Sequence, residues 1–311
     1  MSAKVFIDGQ AGTTGLQIVE RLTGRRDIEL IALADSERKD AGKRADALNA
    51  ADVAVLCLPD DAARESVSLI RNNHTKVIDA STAHRVDPDW VYGLPELAPG
   101  HARRIAEAPR VANPGCYPTG AILLLAPLVR AGLVPRDYPV TVNAVSGYTG
   151  GGRKMIEQFE QTGSPDYLRT PFRVYGLNLD HKHLPEMQVH SGLEHRPLFV
   201  PSVGRFAQGM IVQVPLLTRL LAGKADAAAV HAALAEAYEG QRLVELKPLT
   251  SPAEAGMLDG DALAGSDGIE LHVFQDKRGE QVLLAAVLDN LGKGASGAAV
   301  QNLDLMLGKA A

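Results

Sequence analysis

Apolar residues come in short runs through the first third of the chain, and the runs after it follow one another with fewer helical segments between them. Lys4 to Asp8, Glu29 to Ala34, Ala51 to Leu58, Lys76 to Asp79 and Arg110 to Ala112 read as β-strands; Leu16 to Leu22 and Ala62 to Asn72 carry apolar residues at helical spacing. Five strands alternating with helices predict a Rossmann-like α/β domain, with Trp90 to Leu97 as a connection inside it. Ala121 to Val129 reads as a buried helix. Beyond it strands recur at Val140 to Val145, Leu198 to Val203, Gly209 to Val214, Glu270 to Gln275 and Gln281 to Leu288, with one helix at Ala225 to Glu239. Strands in succession predict a second, α+β domain on a mixed or antiparallel sheet. Ala298 to Leu307 is an amphipathic helix with Val300, Leu303 and Met306 on one side, expected to return to the first domain.

The length fits two domains, since 311 residues exceed the roughly 250 to 300 at which single cores stop growing. A composition of 46% hydrophobic and 22% charged residues is that of a globular chain, and 30 glycines imply many tight turns. A formal charge of -5, with no basic cluster beyond pairs such as Arg25 and Arg26, argues against nucleic acid and for small molecules. Two cysteines, Cys57 and Cys116, give neither a disulfide framework nor metal-ligand spacing and suit a reducing compartment. Met1 to Phe6 runs straight into a strand and no apolar run reaches the ~20 residues of a membrane span, so a cytoplasmic protein without signal peptide or membrane contact is expected.

The candidate chemistry centres on Val111 to Leu125, VANPGCYPTGAILLL. Asn113, Pro114 and Gly115 form a turn before the buried helix, which puts Cys116 at or near a helix N-terminus. There the dipole and unpaired amides favour a thiolate, as a nucleophile requires; a buried structural cysteine is the alternative. Cys57, inside an apolar run, reads as inert packing. The strand, glycine turn and helix around Gly9, Gly12 and Gly15 let backbone amides approach a pyrophosphate, or else simply pack helix on strand. The second strand ends at Asp35 to Lys39, where a ribose would be read: Ser36 and Arg38 tilt the reading toward NADP, Asp35 and Glu37 toward NAD. Leu58 and Pro59 end the next strand on the cofactor side, and Ser81 and Arg85 follow the fourth, placed for substrate or cofactor. Arg85 suits a phosphate or carboxylate, or a surface ion pair. Ser146 to Lys154, SGYTGGGRK, is a glycine-rich loop, either mobile or closing on a ligand. His181 and His183 stand two apart without a third ligand at metal-binding spacing, so no metal is expected.

Four segments together resemble one family: the Gly9 to Gly15 turn, NPGCYPTG at Asn113 to Gly120, HKHLPE at His181 to Glu186, and DNLGKGASGAAVQN at Asp289 to Asn302. Nearly end to end, the chain resembles the shorter form of the N-acetyl-gamma-glutamyl-phosphate reductases and, more distantly, aspartate-semialdehyde and glyceraldehyde-3-phosphate dehydrogenases. The resemblance implies NADPH-dependent reduction of an acyl phosphate to a semialdehyde in arginine synthesis, with Cys116 as nucleophile and His181, or else His183, as acid/base. It implies substrate contacts at Ser81, Arg85, Asn113, Ser146, Gly147, Arg153, Lys154, His183 and Glu186, the cations being candidates for the substrate's anions. Cofactor contacts are implied at Gly9, Ala11, Gly12, Thr13, Thr14, Gly15, Ser36, Arg38, Leu58, Pro59, Asn290, Lys293 and Gly294. It further implies a cofactor domain of residues 1–113 completed by 293–311, a catalytic domain of 114–292, and a homodimer or homotetramer. An aspartate-semialdehyde dehydrogenase and a non-catalytic nicotinamide-binding regulator are the alternatives.

Overall fold

Six parallel strands build the first sheet: β1 (Ala3–Asp8), β2 (Ile28–Ile31), β3 (Val53–Leu56), β4 (Lys76–Asp79), β5 (Val91–Tyr92) and β6 (Arg110–Ala112), in spatial order β2-β1-β3-β4-β6-β5. This computed structural model describes residues 2–254 and 256–309, so Met1, Ala310 and Ala311, at the ends of the expected cofactor domain, lie outside it. Side chains alternate across a strand, and the sheet is coated accordingly. Val5, Ile7, Val53, Val55, Ile78 and Val111 share one apolar cluster with Ile18 and Leu22 of α1 (Thr13–Leu22). Phe6, Ala54, Leu56, Val77 and Ala112 share the other with Ala47 and Leu48 of α2 (Ala41–Ala50) and Ala63 of α3 (Asp60–Leu69). Ile105 of α4 (His101–Glu107) joins the first cluster. Two elements here carry no hydrophobic periodicity. α2 buries Arg44 along with Ala47 and Leu48 and starts on the Asp40 carboxylate, which accepts from the Lys43 amide (2.9 Å). β5, in the stretch read as a connection, is only two residues long.

The second unit opens with α5 (Cys116–Arg130), buried from Tyr117 to Leu128. Around it lie β7 (Thr141–Gly147), α6 (Gly152–Glu160), β8 (Phe172–Val174), α7 (Leu184–Ser191), β9 (Leu198–Gly204), β10 (Met210–Leu217), α8 (Ala227–Tyr238), β11 (Val244–Leu246), β12 (Ile269–Gln275) and β13 (Gln281–Leu288). The seven-stranded sheet runs β11-β12-β13-β10-β7-β9-β8 and is mixed: β7 with β9 and β11 with β12 are parallel, the other neighbours antiparallel. α5 lies on β10 and β13, and the Tyr238 hydroxyl of α8 donates to its Leu123 carbonyl (2.5 Å).

The last helix, α9 (Gly297–Met306), packs Ala299, Leu303 and Met306 into the first unit's cluster, with Val300 half-buried against it. Lys76 Nζ donates to its Met306 carbonyl (2.9 Å), and Asn302 donates to the Gly93 carbonyl (2.9 Å). The first unit is thus discontinuous, comprising residues up to Pro95, Gly100–Gly115 and those from Ala295 on; the second is Glu96–Pro99 with Cys116–Gly294. The divisions fall two residues after the expected 113 and 292, and residues 96–99 belong to the second unit. Buried Glu96 explains the last point, because it pairs with the fully buried Lys293 ammonium at 2.7 Å.

Candidate active site

In the first unit the strand order changes direction between β1 and β3, so the loops leaving these strands diverge and leave a crevice. Gly9 has φ +88°, and a Cβ there would lie 2.3 Å from the Cys57 carbonyl oxygen, so only glycine lets the first loop pass the end of β3. Gly12, by contrast, meets nothing closer than 3.5 Å. The space a side chain would fill is left open at the N-terminus of α1, where no side chain caps the helix. Together these features fit a pyrophosphate. A cavity of about 470 Å³ adjoins them, lined by Gly9, Gln10, Ala11, Leu33, Asp35, Arg38, Lys39 and Leu58 among others. Thr13 and Thr14 begin α1, while Ser36 and Pro59 are not among the lining residues. Arg38 pairs with Asp35 at 2.7 Å. Lys39, which the sequence reading left unassigned, lines the cavity beside it.

The segment that delivers Cys116 is anchored within the first unit. Arg85 is buried, its Nε donating to the Asn113 carbonyl (2.9 Å) and a terminal nitrogen to the Ala80 carbonyl (3.1 Å). Asn113 donates to the Ala295 carbonyl and accepts from Asn302, both at 3.0 Å. Ser81 donates to Asp79 (2.8 Å), to which His84 Nδ1 also bonds (2.6 Å). Ser81, Arg85 and Asn113 therefore spend these polar groups on building the turn.

Cys116 is the first residue of α5, half-buried, and a Cβ at position 294 would come within 2.7 Å of its own Cβ. It opens on a cavity of about 240 Å³ in the second unit, lined also by Tyr117, Ser146, Gly147, Gly150, Gly151, Met155, Tyr175, His181, Lys182, His183 and Val203. The structure thus brings Cys116, Ser146, Gly147, His181 and His183 together. Arg153 and Lys154 stay outside: both are exposed on α6, Arg153 pairing with Glu157 at 2.8 Å. The glycine-rich segment is tied down, forming a 3₁₀ turn (Tyr148–Gly151) that leads into α6. Its Tyr148 and Thr149 amides donate to the Phe206 and Ala207 carbonyls, and Asn290, itself accepting from the Gly209 amide, donates to the Thr149 hydroxyl. Of the residues expected at the cofactor, Asn290 makes these contacts, Lys293 pairs with Glu96 and Gly294 lies against Cys116, all inside the second unit.

The histidines lie in a cluster of rings. His181 is 4.7 Å from His183 and 5.1 Å from Phe199 between centroids, and 5.9 Å from Tyr175. Its Nδ1 accepts the His183 backbone N–H at 3.2 Å, which assigns the proton of the neutral ring to Nε2. Burial, and then the Lys182 charge, push its pKa down to about 4. The ring is therefore neutral at pH 7 and presents a donor. His183 is buried at the start of α7, its Nε2 3.9 Å from buried Glu186. Tyr175 donates to the Tyr117 hydroxyl (3.1 Å), which donates to the Ser202 carbonyl (3.0 Å). Tyr117, Tyr175 and Lys182 were not singled out from sequence. Their nearness to Cys116 or to the histidine pair was the available signal.

Among the described residues no group of three metal-ligating side chains occurs, and no helix is long and apolar enough to cross a membrane. Residues 4–105 match a family model described as "Semialdehyde dehydrogenase, NAD binding domain", and residues 116–290 one described as "Semialdehyde dehydrogenase, dimerisation domain". Proteins named "N-acetyl-gamma-glutamyl-phosphate reductase" from Brucella ovis and Brucella melitensis are 59% identical over 99% of this chain and 100% of their own. Among solved structures, an aspartate semialdehyde dehydrogenase II from Vibrio cholerae superposes with TM-score 0.74 at 17% identity, covering 99% of this chain and 98% of that one. An aspartate semialdehyde dehydrogenase with NADP from Candida albicans gives 0.62 at 13%, covering 99% of each. At such identities these structures speak for the fold alone.

Proposed function

The chain belongs to the semialdehyde dehydrogenase family, on the branch of the N-acetyl-gamma-glutamyl-phosphate reductases, and we propose that it reduces N-acetyl-L-glutamyl 5-phosphate to the 5-semialdehyde and phosphate, a step of arginine synthesis. The observation that carries this reading is a thiol at the first position of a 15-residue helix, opening on the same cavity as a histidine pair.

In this reading Cys116 attacks the acyl carbon as a thiolate, the bond from that carbon to the phosphate oxygen breaks, and a thioester remains. A bound reduced nicotinamide supplies the hydride, and with it the two electrons of the reduction. The resulting thiohemiacetal expels the thiolate as its oxygen re-forms a carbonyl, and the one proton consumed overall leaves on the phosphate. His181 donates from Nε2 to the acyl oxygen while that oxygen carries charge, and the first-turn amides of α5 add donors there. His183 positions the His181 ring through its backbone N–H.

The first unit binds the cofactor on its glycine turn, and we infer NADPH rather than NADH because Arg38 and Lys39 both line the cavity beyond β2. The match of 116–290 to the dimerisation domain supports a homodimer or homotetramer. The biosynthetic role supports a cytoplasmic location.

The test is phosphate-dependent reduction of NADP⁺ with N-acetylglutamate semialdehyde and, separately, with aspartate semialdehyde. Preference for the acetylated compound is expected. Preference for the other would make this an aspartate-semialdehyde dehydrogenase, and cofactor binding without turnover of either would make it a regulator.

A further inference from the structure

We propose that Lys182 holds the α-carboxylate of the acyl-phosphate substrate at the rim of the Cys116 cavity, and so selects substrates that carry a free carboxylate. The inference rests on the reaction just proposed and identifies a residue that recognises its substrate.

That substrate brings two anionic groups into a cavity of about 240 Å³. Among the described lining residues, Lys182 is the only lysine or arginine. Arg153 and Lys154 point away on α6, and Arg85 bonds backbone carbonyls in the first unit. Lys182 itself is exposed while Cys116 and His181 are half-buried, so among these lining residues it stands on the solvent side. The neighbouring carboxylate, Asp180, is directed to Arg196 (3.8 Å).

Covalent dimensions decide which anion it takes. The phosphate is bonded through oxygen to the carbon that Cys116 attacks, so it must lie beside the thiolate, at the start of α5, where the positive end of the helix dipole suits a dianion. The carboxylate is four bonds from that carbon, on the order of 5 Å away along an extended chain. It therefore reaches outward, toward a long, flexible cation rather than the helix terminus.

The geometry has a second effect. Lys182 is one of the two causes that hold His181 neutral in the free protein, after burial. A bound carboxylate offsets that charge, so the ring binds a proton more readily with substrate in place than without it.

The experiment uses the full-length enzyme in the semialdehyde-oxidising direction, with K182M and K182R beside the wild type. K182M should raise the KM for N-acetylglutamate semialdehyde by roughly 10- to 100-fold, the range of a charge-assisted hydrogen bond, with a smaller change in kcat and no change in the KM for inorganic phosphate. K182R should recover most of the loss. The α-methyl ester of the semialdehyde should be a poor substrate for the wild type, whereas K182M should hardly distinguish ester from acid. Added salt should weaken wild-type kcat/KM more than that of K182M. An unchanged semialdehyde KM in K182M would overturn the proposal, as would a rise in the phosphate KM instead or undiminished discrimination against the ester. Should the wild type fail to turn over the semialdehyde at all, the proposed reaction falls first, which separates that failure from a failure of Lys182.

Discussion

The two cysteines occupy opposite kinds of strand-and-helix junction. Cys57 follows the end of β3, its N–H donating to the Asp8 carbonyl (2.7 Å) and its own carbonyl packed against Gly9. Burial first, and then the charges of Asp79 and Asp8, push its thiol up to about 12. Cys116 begins α5, half-buried over a cavity that contains both histidines. A strand's carboxyl end in this sheet gathers acidic side chains, whereas a helix start supplies amide donors. The same thiol is thereby silenced in one place, and in the proposed reaction activated in the other.

The largest break in that contrast is Cys116→Ser. A serine hydroxyl is not ionised by a helix terminus, so turnover should fall to background while NADPH affinity in a binding titration stays near wild type. Retained activity would sink the covalent route. Next is the reactivity of the two thiols. With the Cys57 thiol pushed up to about 12 by burial and Cys116 opening on a cavity, peptide mapping after brief iodoacetamide treatment at pH 7 should find Cys116 modified on the order of 10²-fold faster. Equal labelling would remove the distinction.

His181→Asn should lower kcat by something like 10²-fold, the low end for a positioned catalytic group. His183→Asn should act mainly on KM. A reversal of these two effects would exchange the roles. The pH dependence sharpens the point. The folded-state value of His181, about 4, lies below its ordinary 6.5, so between those values the unfolded chain binds more protons. The ring's contribution to stability is complete above pH 6.5 and is lost as the pH falls toward 4. The acid limb of kcat/KM from this ring should likewise sit near pH 4, and K182M should move it upward. Smallest is Cys57→Ala, expected to cost about 1 kcal/mol in denaturant unfolding for a lost small apolar group, with kcat nearly unchanged.

Most of this contrast was legible in the chain. Apolar runs located five of the six strands in the first sheet, and the Asn113-Pro114-Gly115 turn before a buried helix located the N-terminus of α5. What escaped did so for identifiable reasons. The first turn of α2 is polar, with its arginine buried by an ion pair to Asp8 (3.1 Å). β8 is an edge strand whose three residues are all exposed, so it has no inward face to reveal. The placement of the cations was not legible either, because adjacency along the chain does not fix adjacency in space. Arg153 and Lys154 follow the glycines closely, but α6 begins there and turns them outward, while Lys182 is held at the cavity by the histidines on either side of it.

The discontinuity of the nucleotide-binding unit bears on how the chain is made. A ribosome delivers β1 before the second unit and α9 after it, so the first unit lacks Leu303 and Met306 of its core until the whole second unit has emerged. The second unit, almost entirely contiguous from Cys116 to Gly294, is complete earlier. Folding during synthesis should therefore invert the usual N-terminal-first order, with the unit that carries Cys116 acquiring its structure while the earlier-made sheet waits for α9.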